Sequence, residues 1–237
     1  MQIGLLSTLN NELLPHYLKK LQSRNFLKIH VILSNQSKKS VEKDKAIFFE
    51  RTKGYFRNFQ LYDLKNINTQ YYFVSHHNSI DTLRLIKKKK LDFLLNAGVV
   101  SKINRKIIKS TKGIVNIHPG ILPFYKGCNC AEWAILNNDA VGNTAHFMNE
   151  NYDSGPIITK TKVDLKSCYS YENMRIRVYK DGIDLSLKTF EILKKKNFKK
   201  KLVSQNNKKS NFFRLMNKKN LKKVKKIIKN NFKKKYD

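Results

Sequence analysis

Short apolar runs and stretches of helical spacing alternate along most of this chain. Gln2 to Ser7, Lys28 to Ser34, Tyr71 to Ser75, Leu91 to Asn96 and Ile114 to Ile117 read as strands. Between them, Thr8 or Asn10 can cap a helix running to about Gln22, with Pro15 acceptable only in its first turn. Val41 to Arg51 is helical in pattern. Asn78 is placed to cap a helix with Ile80, Leu83 and Ile86 on one face, and Ile103 to Ile108 forms a shorter one. Further on come a helix at Ala131 to Leu136, a strand at Gly142 to Met148 and an extended segment at Pro156 to Leu165. Tyr171 to Lys195 is one long helix that Gly182 could bend. Residues 194–211, rich in Lys, Asn, Gln and Ser, read as loop. Asn217 or Asn220 can then cap a last helix with Leu221, Val224, Ile228 and Phe232 on one side and lysines between.

Strands alternating with helices predict an α/β fold, with a mostly parallel twisted sheet flanked by helices. Residues 1–195 would form that domain and 196–237 a Lys-rich appendage ending in an amphipathic helix. Ligands of such sheets bind beyond the carboxyl ends of the strands, where Ser7, Asn96 and His118 fall. No Gly-x-Gly-x-x-Gly follows the first strand, so nothing supports a dinucleotide cofactor.

The chemistry concentrates at residues 114–127, where the apolar run ends at His118 and breaks at Pro119-Gly120. Alternate residues of a strand share a face, so Asn116 and His118 point the same way. Asp153 follows a later extended run, in Tyr-Asp-Ser-Gly-Pro. An amide, an imidazole and a carboxylate suit acyl transfer to an amine. Asn116 can donate to a developing oxyanion, His118 can shuttle a proton, and Asp153 can orient the ring and favour its charged form. For Asn-x-His taken alone, a structural cap on a loop is the competing account.

Asn116-Ile-His118-Pro119-Gly-Ile-Leu122-Pro123 with Gly127, then Trp133-Ala-Ile, Gly142-Asn-Thr144-Ala-His146-Phe and Asp153-Ser-Gly155-Pro-Ile157, resembles the folate-dependent formyltransferases. That family includes amino-sugar, methionyl-tRNA and glycinamide ribonucleotide enzymes. The ordered match spans roughly residues 114–158, with weaker likeness from residue 1 to about 195. The resemblance implies a Rossmann-like formyltransferase fold, with Asn116, His118 and Asp153 as the catalytic triad. It implies N10-formyltetrahydrofolate as formyl donor, held by Asn96, Gly98, Val99, Ser101 and Ile103, mostly through backbone groups, opposite Asn151 and Tyr152. Ser7, Thr8, Asn10 and Lys126 become candidate contacts for the second substrate. Gly120 stands where many members have Ser.

The first turn, Ser7-Thr8-Leu9-Asn10-Asn11, lacks the Gly-rich phosphate loop of the glycinamide ribonucleotide enzymes. After about residue 195 too little chain follows for the β-rich C-terminal domain of the tRNA enzymes. The expected activity is therefore sugar N-formyltransfer to a nucleotide-linked amino sugar, with lipopolysaccharide biosynthesis as the pathway the family suggests. A truncated tRNA enzyme, a formyltetrahydrofolate hydrolase and a non-catalytic basic module are the alternatives.

Charge complicates that choice. The net charge is +32, and residues 194–237 hold 18 Lys, one Arg and one Asp, a net of +18. Such a surface attracts phosphates, acidic membranes or nucleic acid, although the abundance of Lys, Asn and Ile also fits simple compositional drift. A nucleic-acid partner is thus the secondary expectation. Cys128, Cys130 and Cys168 are too few for a disulfide scaffold, and Cys128-x-Cys130 lacks the usual metal-ligand spacing, so no metal is expected. No run of about 18 apolar residues occurs and the first residues do not resemble a signal peptide, which favours the cytoplasm. Apolar positions in the C-terminal half are candidates for a homodimer contact. His76 and His77 read as surface residues, Trp133 as packing, His146 as either a core histidine or a polar contact to the triad, and Arg175 and Arg177 as phosphate contacts or solvated groups.

Overall fold

Gln2–Thr8 (β1) contains no charged residue and buries six of its seven residues. A strand buried on both faces belongs inside a parallel sheet, and β1 pairs in parallel on both sides. The computed structural model describes residues 1–9, 11–34, 46–58, 69–99, 101–206 and 210–236. It comprises two units.

The first unit holds Met1–Phe48, Gly54–Asn116 and Phe147–Asn151. With β1 it contains Lys28–Ser34 (β2), Thr69–Val74 (β3), Phe93–Asn96 (β4) and the start of Ile114–His118 (β5). Their order is β3-β2-β1-β4-β5, all parallel. Leu14–Gln22 (α1), Ile80–Lys88 (α2), Arg105–Ile108 (α3) and helical residues 46–48 complete it. Leu6, Ile32, Ile86, Leu94, Ile107 and Ile114 pack together in its core. Register sets Asn96 beside both Leu6 and Asn116, at the carboxyl ends of adjacent strands.

Several local expectations change. The first helix starts at Leu14, with Pro15 in its first turn and no side-chain cap; Asn11 Oδ1 instead accepts the Leu13 N–H at 2.8 Å. Thr8 therefore does not cap it. Asn10 lies outside the described residues, as do residues 41–45 of the helix expected from Val41. Ser79, not Asn78, caps α2 by accepting from Thr82 N. Asn78 is occupied elsewhere: its Oδ1 accepts from Asn104 N at 2.8 Å and its Nδ2 donates to Lys102 O at 2.9 Å. His77 is buried rather than on the surface, bonded to Ser34 Oγ and Ile32 O, and burial lowers its pKa.

The second unit holds Phe49–Lys53, Ile117–His146 and Tyr152–Asp237. It contains Tyr125–Gly127 (β6), Cys130–Leu136 (α4), nearly all of Gly142–Phe147 (β7), Ile157–Lys162 (β8), Tyr171–Leu193 (α5), Asn211–Phe213 (β9) and Lys218–Tyr236 (α6). β7 and β8 pair antiparallel, and β6 and β9 pair in parallel. The five parallel strands outnumber this antiparallel pair, so the fold is α/β with a mostly parallel sheet, as expected. Among the described residues no helix is long and apolar enough to cross a membrane.

α5 runs without interruption through Gly182, where a Cβ would lie 3.3 Å from Ile117 Cγ2; close packing, not bending, uses this glycine. Arg175 on the same helix is buried, neither solvated nor presented to a phosphate. Its Nη1 meets Glu132 Oε2 at 3.3 Å, and Tyr171 Oη donates to Glu132 Oε1 at 2.8 Å. Unpaired, either charge would be expensive to bury.

Residues 194–211 include a 3₁₀ turn at Phe198–Lys201 and a bridge between Val203 and Ile157. Asn217 caps α6, and Val224 and Ile228 enter a core with Ala131, Ala134, Met174 and Val178. Lysines surround that apolar stripe, with Lys222, Lys223 and Lys226 exposed. Docking thus follows the period of the apolar residues rather than the charge. Val224→Ala should cost about 2 kcal/mol in urea unfolding of the full chain, while Lys222→Ala should stay within about 0.5 kcal/mol.

Candidate active site

β5 ends at His118, and the chain then loops through Pro119 to Phe124 before β6. Within the second unit, His118 is buried, with Nδ1 3.3 Å from Asp153 Oδ1 and Nε2 2.8 Å from the carbonyl of Tyr125. Both neighbours are acceptors. A neutral imidazole carries one N–H, so only the doubly protonated ring satisfies both. Burial pulls the other way and dominates, lowering the His118 pKa against the opposing pull of the Asp153 carboxylate. The resting ring is neutral at pH 7 in surroundings shaped to receive a second proton.

Asp153 has a second imidazole beside it, His146 Nε2 at 3.6 Å from Oδ1. The register of β7 on β8 shifts between Ala145 and His146, and a bulge of this kind re-aims a side chain. Gly127 N–H donates to Asp153 Oδ2 at 2.9 Å. Burial raises the Asp153 pKa, but the neighbouring His146 and His118 imidazoles and the Gly127 N–H outweigh it and hold the carboxyl at about 2. Asp153 stays a carboxylate. Its side chain is 12% exposed against 4% for His118 and 2% for His146, so it is the most accessible of the three.

The loop beneath His118 is fixed by its own polar groups. Thr144 Oγ1 donates to Gly120 O at 2.7 Å and accepts from Leu122 N at 3.0 Å, and Lys160 Nζ donates to Leu122 O at 2.6 Å. Gly120 now has a physical reason. A Cβ there would stand 2.8 Å from His118 Nε2 and 2.7 Å from Tyr125 O, between the two atoms that bond. Lys126 is buried, its pKa lowered by burial and raised by Asp153.

In the first unit, polarity passes along a chain of amides. Val99 N–H can only donate, and it donates to Asn96 Oδ1 at 2.8 Å. Asn96 must then present Nδ2 to Asn116, whose Oδ1 accepts at 3.1 Å. The Nδ2 end of Asn116 is thereby its donor end, the polarity an oxyanion requires. The loop after β4 turns at Gly98, where φ is +102° and Asn11 Nδ2 fills the space a Cβ would take. Asn78, through Lys102 and Asn104, holds the far end of this loop.

The other predicted contacts are placed unequally. Ser7 is buried and donates to Ala97 O at 2.7 Å. Thr8 is buried. Val99 and Ile103 put their side chains in the first unit's core, and Ser101 is half-buried. Asn151 N–H donates to Asn149 Oδ1, beside an Arg105–Glu150 ion pair of 3.1 Å. Tyr152 is 60% exposed. Of the two polar partners of Asp153, His146 was expected either as a core histidine or as a polar contact to the triad, and the Gly127 amide was not among the expected site residues. Spacing alone does not reveal a bulge. Cys130 is buried with its thiol pKa pushed up by burial, and Cys128 is an exposed free thiol.

Residues 8–188 match the model of the Formyl transferase family, and the chain belongs to that family. It is 28% identical over 124 residues to a methionyl-tRNA formyltransferase of Clostridium acetobutylicum, covering 52% of this chain and 40% of that protein. It is 34% identical over 77 residues to a GDP-perosamine N-formyltransferase of Brucella melitensis, covering 32% of this chain and 30% of that protein. The chain thus matches well under half the length of these curated relatives. A 4-N formyltransferase structure from Francisella tularensis shares the fold, with a TM-score of 0.58, 18% identity, and coverage of 96% of this chain and 86% of that one.

Acid unfolding tests the carboxylate. A group held at about 2 in the folded chain, and near 3.9 when unfolded, stabilises the fold above pH 4 and loses that contribution as pH falls towards 2. Between pH 5 and 2, urea unfolding should show on the order of 2 kcal/mol more loss in the wild type than in Asp153→Asn.

Proposed function

We propose that the chain transfers a formyl group from N10-formyltetrahydrofolate to the amine of a nucleotide-linked amino sugar. The observation that carries the reading is a buried His118 against an ionised Asp153, in a chain of the Formyl transferase family. The sugar acceptor is supported by the likeness to the GDP-perosamine N-formyltransferase.

The loop at residues 96–103 suits a flat heterocycle in kind. It has an exposed turn at Gly98, an amide at Asn96 and a backbone fixed from both ends. Those residues would hold the folate, which supplies the formyl carbon when bound. Asp153 takes up the proton that the acceptor ammonium must lose before its nitrogen can attack, and shares it with His118 Nδ1. His118 is suited to that share because a second proton completes both of its hydrogen bonds. Asn116 Nδ2 donates to the formyl oxygen as negative charge builds there. The attacking nitrogen gives up a second proton as the amide product forms; one of the two protons passes to the leaving nitrogen and the other is released to solvent, so nothing is oxidised or reduced. Asn116, His118 and Asp153 carry the reaction, while Ser7, Thr8, Asn10 and Lys126 remain the proposed acceptor contacts.

A second reading has charged methionyl-tRNA as acceptor. It is favoured by the Clostridium relative and by the exposed lysines of α6. The two separate in one assay of tetrahydrofolate release, run with nucleotide-linked amino sugars or with methionyl-tRNA. Release that depends on a sugar supports the proposal. Release only with tRNA, weakening steeply with salt, supports the second reading. Release without any acceptor indicates hydrolysis.

In that assay His118→Ala and Asp153→Asn should lower kcat by about 10²-fold or more with the fold retained. Asn96→Asp should lower it by about 10- to 100-fold, because it replaces the donor facing Asn116 with an acceptor. Near-wild-type turnover in any of the three would remove that residue from the mechanism.

A further inference from the structure

Asp153 occupies an unusual backbone position. Its φ is +51°, in the left-handed region that non-glycine residues seldom adopt. The side chain of a residue in such a turn points where the turn directs it, so relaxation of the backbone would swing the carboxylate away from His118 and His146. Gly127 N–H holds the carboxylate itself, and something must also hold the turn.

That hold comes from residue 205. Gln205 Nε2 donates to Asp153 O at 3.0 Å and to Gly155 O at 2.7 Å. One amide group thereby gathers two carbonyls of the same turn, using both of its hydrogens. Gln205 is brought there by its neighbour Val203, which exchanges backbone hydrogen bonds of 2.8 and 2.9 Å with Ile157. The same C-terminal stretch supplies β9, which pairs with β6 and so backs the peptide of Gly127 from the other side. Both contacts originate beyond residues 8–188, the stretch that matches the family model.

We propose that Gln205 is a positioning residue for Asp153, fixing the turn that aims its carboxylate at the two imidazoles. The C-terminal stretch is then part of the catalytic machinery's support. This inference rests on the proposed formyl transfer for its kinetic arm only.

Gln205→Ala and Gln205→Glu in the full chain test it. The glutamate keeps the shape but sets an oxygen against the two carbonyls, so it should be the more damaging. kcat should fall about 10-fold in Gln205→Ala and about 100-fold in Gln205→Glu, with KM for donor and acceptor changed less than about twofold. The second readout needs no substrate. In ¹⁵N-imidazole NMR titrations, the His118 curve should move from its wild-type position towards that of Asp153→Asn, with far-UV circular dichroism unchanged. Unaltered kcat and unaltered titrations in a folded variant would overturn the proposal. Global unfolding of both variants would also overturn it, because Gln205 would then hold the fold rather than the carboxylate. If the wild type forms no product with any acceptor, the formyl-transfer reading fails, and the titrations alone decide the role of Gln205.

Discussion

A carboxylate kept ionised while mostly out of water is the constraint around which the second unit is arranged. Burial alone would neutralise Asp153. Two imidazoles and one backbone N–H prevent it, and each of these has its own support. His146 is aimed by a bulge in β7, His118 is followed by a loop in which a Cβ at residue 120 would crowd its Nε2, and the Gly127 amide lies on β6, which pairs with β9. The apolar core beneath α4 and α5 keeps these pieces in register and is closed by the last helix.

The strands were legible because each is a short apolar run bounded by turn residues, and β2 matches its expected limits. The pairing of His118 with Asp153 was legible because the resemblance around residues 114–158 is long and ordered. What escaped depended on partners distant in sequence. His77 and Arg175 look solvent-facing in their local context, but the fold brings Ser34 to one and Glu132 to the other. β6 and β9 are three residues each, too short for a period-2 pattern, and exist because they pair with one another. The cap of α2 was misplaced by one residue because Asn78 and Ser79 are both good caps, and Asn78 was required by the loop at 102–104.

The lysines of the C-terminal region teach a related point. A basic stretch following a catalytic domain invites a description by charge. Its position is instead decided by Val224 and Ile228, with Leu221 partly buried beside them, while the long lysine side chains stay in water. Lys225 shows how the two overlap, since its Nζ lies 5.0 Å from the centre of the Tyr171 ring.

The amide chain in the first unit has a different character from the carboxylate in the second. The donor end of Asn116 is chosen by Asn96, and Asn96 is oriented by the peptide N–H of Val99, which follows a glycine at φ +102°. No member of that chain gains or loses a proton in the range where carboxylates and imidazoles titrate. Its sign is stored as a backbone torsion. Acid can therefore disarm the proton-handling groups while leaving the polarity of Asn116 as it was, and only a rearrangement of the peptide at residues 98–99 would reverse it.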